Sequence, residues 1–239
     1  MVTIRAVLGL LVACLASLAS AGSFQVNPIR VDLAASAPTQ SLLVRNDSTE
    51  PLVVQLSVQA WSQDGGEDRY APTSDALVTP PIAQIAPGAE QVVRVGLRRA
   101  PDATKQLSFR LFVQEIPAAP APGFAGLQVA LRVGIPVFVA PVQPSRRDIG
   151  WSAERLPDGA LRLTVENRGN VHLQLLDLKL HVPGREAPIG SRQELAYVLA
   201  GQARAWILPA SWPPSMAGTL TLTAYTDAGE IDATLALRQ

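Results

Sequence analysis

The sequence predicts an all-β protein built from two sandwich domains in tandem. Three observations carry that prediction. Short runs with an apolar residue at every second position recur along the chain, the pattern of strands with one buried face. Clusters of Asn, Asp, Gly and Pro separate these runs and supply turn chemistry. No segment carries a capped apolar stripe at helical spacing.

Residues 1–21 read as a targeting segment. Arg5 supplies the positive charge, residues 6–18 the apolar stretch, and Ala19, Ser20 and Ala21 a small-residue cleavage site. The apolar stretch is too short to span a bilayer. The expected mature chain starts near Gly22 and is exported. The run Leu11-Val12-Ala13-Cys14 also has the look of a lipoprotein cleavage site. Cys14 is the one cysteine of the 239 residues, so cleavage after Ala21 leaves no disulfide, thiol nucleophile or thiolate metal ligand. Lys plus Arg equals Asp plus Glu at 20 each, which gives no electrostatic case for nucleic acid or an anionic membrane surface.

The strands follow in order. Leu52, Val54, Leu56, Val58 and Ala60 line one face of a run that ends at Trp61. Val93, Val95 and Leu97 line the next, and Leu107, Phe109, Leu111 and Val113 a third. After residues 118–126, an irregular loop with Pro120 and Pro122, comes the longest run: Leu127, Val129, Leu131, Val133, Ile135, Val137 and Val139. A strand of that length spans roughly 43 Å at ~3.3 Å per residue, well beyond the usual about 5–6 residues. Pro136 has no N–H for a ladder, so this part of the strand is expected at a sheet edge or bulge. Only Arg132 charges it, and a long apolar edge invites another chain to pair with it. Later rows are Leu161, Leu163 and Val165; Leu176, Leu178 and Leu180; Leu220 and Leu222; and Leu235 and Leu237.

Between the rows lie Asn46-Asp47-Ser48, Gly65-Gly66, Pro87-Gly88, Pro157-Asp158-Gly159 and Pro183-Gly184. The first matches a glycosylation pattern but serves equally as a turn. Residues 141–147 hold two prolines and no alternation, which places the boundary between a domain at 22–142 and one at 143–239. Each is about the size of an immunoglobulin-like sandwich.

The search for catalytic chemistry finds little. The two histidines, His172 and His181, are nine residues apart and have no cysteine near them, a poor metal site. Neither a nucleophile elbow nor a phosphate loop nor a dinucleotide fingerprint is present. The expectation is a binding protein with no catalytic residue, metal, cofactor or nucleotide.

Several ordered segments of the first domain carry a specific resemblance. They are Val26-Asn27-Pro28-Ile29-Arg30-Val31; Val44-Arg45-Asn46-Asp47-Ser48-Thr49-Glu50-Pro51; Val78-Thr79-Pro80-Pro81; Ile85-Ala86-Pro87-Gly88; Gln91-Val92-Val93-Arg94-Val95; and Phe109 through Pro117 together with the long strand. In these the chain resembles the periplasmic PapD-like chaperones of pilus assembly in chaperone–usher pathways. The second domain is similar to that family only in size and β character.

The resemblance implies two immunoglobulin-like sandwiches in an L-shaped, boomerang arrangement. It implies donor-strand complementation: the long edge strand completes a pilin subunit that lacks its own last strand, and an outer-membrane usher then takes the subunit. The row Leu127, Val129, Leu131, Val133, Ile135 and Val137 would fill the subunit's groove. Four or five such residues gross about 6–15 kcal/mol before ordering costs. A self-capping dimer of the free chaperone would cover the same edge.

The better-studied branch of the family grips the subunit's terminal carboxylate with an Arg and a Lys. The Arg position matches Arg30, but the Lys position falls on Pro136, and an Arg usual near the strand's end falls on Ala140. Arg110 stands where a non-basic residue is common. These departures are similar to the archaic or alternative branch and point to Arg110 as main anchor with Arg30 contributing. The competing expectations are an exported adhesin or structural pilus subunit, against which the short residues 22–30 with Pro28 argue, and a periplasmic hydrolase, for which no nucleophile–base set exists.

Overall fold

The structure, a computed structural model, describes residues 24–119, 127–185, 187–209 and 218–238. The expected targeting segment and most of the expected loop at 118–126 lie outside the described residues. The first unit contains β1 (Phe24–Asn27), β2 (Val31–Leu33), β3 (Thr39–Asn46), β4 (Leu52–Asp64), β5 (Glu67–Pro72), β6 (Ala76–Thr79), β7 (Ile82–Ile85), β8 (Glu90–Leu97), β9 (Leu107–Glu115) and β10 (Arg132–Val139). The second contains β11 (Ile149–Arg155), β12 (Leu161–Asn167), β13 (Leu173–His181), β14 (Gly190–Val198), β15 (Ala203–Leu208), β16 (Thr219–Thr226) and β17 (Gly229–Arg238). Among the described residues every regular element is a strand.

The first unit packs the sheet β1-β3-β8-β6 against the sheet β2-β10-β9-β4-β5, to which β7 adds by pairing with β4. The core between them is the alternating row of each strand: Leu42 and Val44, Leu52, Val54 and Leu56, Val93 and Val95, Phe109, Leu111 and Val113, and Ile135, Val137 and Val139. The two-residue turn Gly65-Gly66 joins β4 to β5 with both φ angles positive, at 59° and 84°. Such a hairpin turn needs left-handed backbone at both positions, which glycine adopts freely.

The second unit is a seven-stranded sheet in the order β14-β13-β16-β17-β11-β12-β15. Its two halves fold over one another, because one apolar core takes Ala196 and Val198 from one end and Trp206 and Leu208 from the other. The alternation breaks at Leu176. A bulge between Leu175 and Asp177 shifts the register of β13, so Leu175 and Leu178 are buried while Leu176 is exposed. The expected row Leu176, Leu178, Leu180 is thus Leu173, Leu175, Leu178, Leu180.

Asn46 is fully buried. Its Nδ2 donates to the Glu50 and Ile85 carbonyls at 2.8 and 3.0 Å, and its Oδ1 accepts from the Ser48 amide at 2.9 Å. This side chain ties a turn and is no glycan acceptor. Asn167 repeats the device in the second unit, donating to Val171 and Val198 and accepting from Gly169.

Burial along β4 switches face near its end. Leu52, Val54 and Leu56 point into the core, whereas Trp61 and Gln63, of opposite parity, are buried on the other face. The second unit covers that face. Trp61 and Phe138 from the first unit and Tyr197 and Leu199 from the second form a separate apolar cluster at the joint.

Candidate functional site

The site is built around β10. On one side β10 pairs with β9 along its whole length, from Arg132 opposite Gln114 to Val139 opposite Leu107. On the other side the short parallel strand β2 reaches only Val137, Phe138 and Val139. Residues 132–136 therefore form an open edge, and Pro136 sits at its last position. A proline costs nothing there, because that edge has no strand to receive its N–H.

The strand is shorter than the sequence pattern suggests. β10 starts at Arg132, and residues 127–131 have no strand beside them. The reason is that β9 ends at Glu115. The Glu115 amide still donates to the Leu131 carbonyl at 2.9 Å, and its carboxylate accepts from the Leu131 amide at 3.2 Å. Beyond that, an alternating segment is a strand only when a neighbour supplies the ladder.

The expected groove-filling row divides in two. Ile135 and Val137 are 1% and 0% exposed inside the domain's own core, and Val133 packs against it. Ile135 and Val137 are unavailable to another chain, which corrects the sequence reading. Period-2 alternation marks a face but does not say whose core that face enters. Leu127, Val129 and Leu131 are 87%, 59% and 37% exposed.

Beside the open edge lies a cleft of about 420 Å³ between the two units. Arg30, Arg110, Gly134, Pro136 and Tyr197 line it, with Ile29, Gln174 and Leu195. Both expected arginines meet here. Arg30 follows from its place just before β2, and its Nε donates to Asp32 at 2.9 Å in an exposed pair. Arg110 sits on β9 directly between Pro136 of β10 and Gln59 of β4. Its parity opposes Phe109 and Leu111, so its side chain leaves the sheet away from the core.

The Arg110 guanidinium lies 4.6 Å from the Trp61 ring centre and 6.0 Å from that of Tyr197. Its Nε and Nη1 are buried without a hydrogen-bond partner. Buried polar groups in native proteins are almost always paired. A cation held this way is poised for an oxygen that enters the cleft, and a charge-assisted bond to a carboxylate would satisfy it. Further out on the same face, Arg132 lies 3.9 Å over Phe112, and Phe112 meets Tyr70 edge-on at 5.2 Å.

The joint that shapes the cleft uses neutral amides. Gln63 Nε2 donates to the Tyr197 carbonyl at 2.8 Å, and its Oε1 accepts from the Leu199 amide at 2.9 Å. Gln106 Oε1 accepts from the His172 amide at 2.9 Å and lies 2.8 Å from His172 Nδ1. His172 stacks on Phe138 at 3.6 Å, and burial pushes its pKa down to about 4. Sequence reasoning missed Gln63, Gln106, Tyr197 and the role of His172. Trp61 was visible as the end of a row, and its change of parity was a usable signal; the glutamines gave none. Among the described residues no group of three or more His, Cys, Asp or Glu is placed to hold a metal ion.

Comparison with known proteins agrees with this fold. Residues 23–145 match the family model described as pili and flagellar-assembly chaperone, PapD N-terminal domain. The chaperone protein FimB/FhaD of Bordetella pertussis is 29% identical over 181 residues, 70% of this chain and 72% of that protein. A chain in the crystal structure of the CsuC–CsuE chaperone–tip adhesion subunit pre-assembly complex, from the archaic chaperone–usher Csu pili of Acinetobacter baumannii, superposes with a TM-score of 0.67 at 20% identity, covering 91% of this chain and 100% of that one. A chain in the complex of the SafA pilin with the SafB chaperone of Salmonella enterica gives a TM-score of 0.62 at 20% identity, covering 91% and 98%.

Proposed function

The chain belongs to the family of pilus-assembly chaperones whose N-terminal domain it carries, and from that premise we propose how it holds a subunit. The open edge at residues 132–136 and the exposed segment before it pair with an incomplete pilin sandwich. Leu127, Val129 and Leu131 fill the pilin's groove, with Val133 at the boundary between the two cores. Burying three such side chains contributes about 5–9 kcal/mol before ordering costs. The subunit's terminal carboxylate enters the cleft, where Arg110 is the main anchor and Arg30 the second.

The observation that carries this reading is the unpaired flank of β10 lying next to a half-buried guanidinium whose Nε and Nη1 have no acceptor. Pro136 in place of a lysine, together with Arg110, supports the archaic or alternative branch. The protein works in the periplasm after removal of residues 1–21 and passes its subunit to an outer-membrane usher. When free, it covers the edge by pairing with a second copy. The work is binding alone, with no catalytic step, cofactor or nucleotide.

Co-expression with candidate pilins, followed by recovery of complex through a tag on the chaperone, tests the reading. A soluble one-to-one complex is expected. Pilin that aggregates equally with and without this chain would overturn it.

A further inference from the structure

We propose that Gly134 is a positioning residue for Arg110, its missing side chain leaving the slot that holds the guanidinium against Trp61. The inference rests on Arg110 being the carboxylate anchor. Gly134 sits inside β10, opposite Phe112. Its φ is not in the left-handed region, so the backbone does not demand glycine there. A glycine in a strand interior weakens the strand and commonly marks the close approach of another group. The approaching group is Arg110. A Cβ at position 134 would lie 3.1 Å from Arg110 Nε and 3.3 Å from Phe112 Cε1.

The opposite wall is the Trp61 ring, 4.6 Å from the guanidinium carbon. Nε and Nη1 make no hydrogen bond. The cation's position is therefore set by the shape of the slot, with the bare backbone of Gly134 on one side and the indole on the other. A methyl group at position 134 pushes Nε off that position and misaligns the donor for an incoming carboxylate.

The test uses the mature full-length chain with two readouts. The first is the Arg110 Nε–Hε resonance, which the Trp61 ring current moves away from the position of a free arginine. The second is the affinity of a short alternating Val/Thr peptide, made once as the free acid and once as the C-terminal amide. The wild type is expected to prefer the acid by about tenfold or more. Gly134→Ala should bring that ratio close to one and return the Hε resonance toward the free position. In the Gly134→Ala background, Arg110→Lys should recover part of the preference, because the slimmer lysine stem clears the new methyl group. If Gly134→Ala does not fold, Gly134→Ala with Phe112→Leu removes the second contact and is read the same way. A wild-type preference that survives Gly134→Ala with Hε unmoved overturns this inference alone. A wild type with no preference for the acid overturns the anchor reading, and this inference with it.

Discussion

Arg110 and Pro136 face each other across the β9–β10 ladder. The position that would hold a second cation in the better-studied branch is a rigid, uncharged ring here, and the cation is on the neighbouring strand. On the proposed reading, the anchor has moved by one strand and stays in the same cleft.

Arg110→Ala should therefore abolish recovery of the pilin complex while the chaperone stays folded. Removing a guanidinium that has no internal acceptor costs the free protein little. Losing its contact to a buried carboxylate weakens the complex by about 2–5 kcal/mol. Arg30→Ala should cost less, since Arg30 is exposed and already engaged with Asp32. Pull-down with each variant, alongside thermal melting of the chaperone alone, measures both effects.

The divided apolar row gives a contrast between neighbours of the same parity. Leu131→Asp should leave the fold intact and prevent subunit capture. Ile135→Ala should destabilise the chaperone itself by about 2–5 kcal/mol through a cavity in its core. Denaturant midpoints and co-purification separate the two. Equal loss of stability in both variants would contradict the assignment.

The fold was legible because alternation in the first domain is strict and its turns carry unambiguous residues, as at Gly65-Gly66. That Arg110 leaves the sheet away from the core could be read from its parity within an apolar row. The length of β10 could not, because whether residues 127–131 form a strand depends on where β9 stops. The joint was hidden for a related reason. Gln63 and Gln106 act through amide bonds to a chain segment more than 60 residues away, and no local pattern marks such a contact. The bulge at Leu176 likewise leaves only one displaced residue in an otherwise regular row.

Gln63→Leu should loosen the joint between the units. It leaves the Tyr197 carbonyl and the Leu199 amide buried without partners, at about 1–3 kcal/mol for each group. The two bonds lost across the joint are neutral, and the third, to the Asp68 carboxylate at 2.9 Å, lies within the first unit, so the destabilisation should depend only weakly on salt. Unfolding curves at two salt concentrations test this, and small-angle scattering reads any change in how the units are held.

Stability should also fall in mild acid. Burial keeps His172 neutral in the folded protein until the pH reaches about 4, whereas the unfolded chain binds that proton near 6.5. Nearby Asp227 opposes the shift, and Arg147 and Arg30 add to it. The stabilising contribution is complete above 6.5 and is lost as the pH drops toward 4, by about 3 kcal/mol. His172→Gln should flatten this dependence, which equilibrium unfolding between pH 4 and pH 7 would measure.

Amide hydrogen exchange across residues 127–135, with and without bound pilin, tests the central claim most directly. At dilutions where the free chaperone is monomeric, the account expects quick exchange at residues 127–130 and at Arg132 and Gly134, whose N–H groups point away from β9, and strong protection of these amides in the complex. Unchanged exchange there, with protection appearing on β1, β6 or the second domain instead, would contradict it.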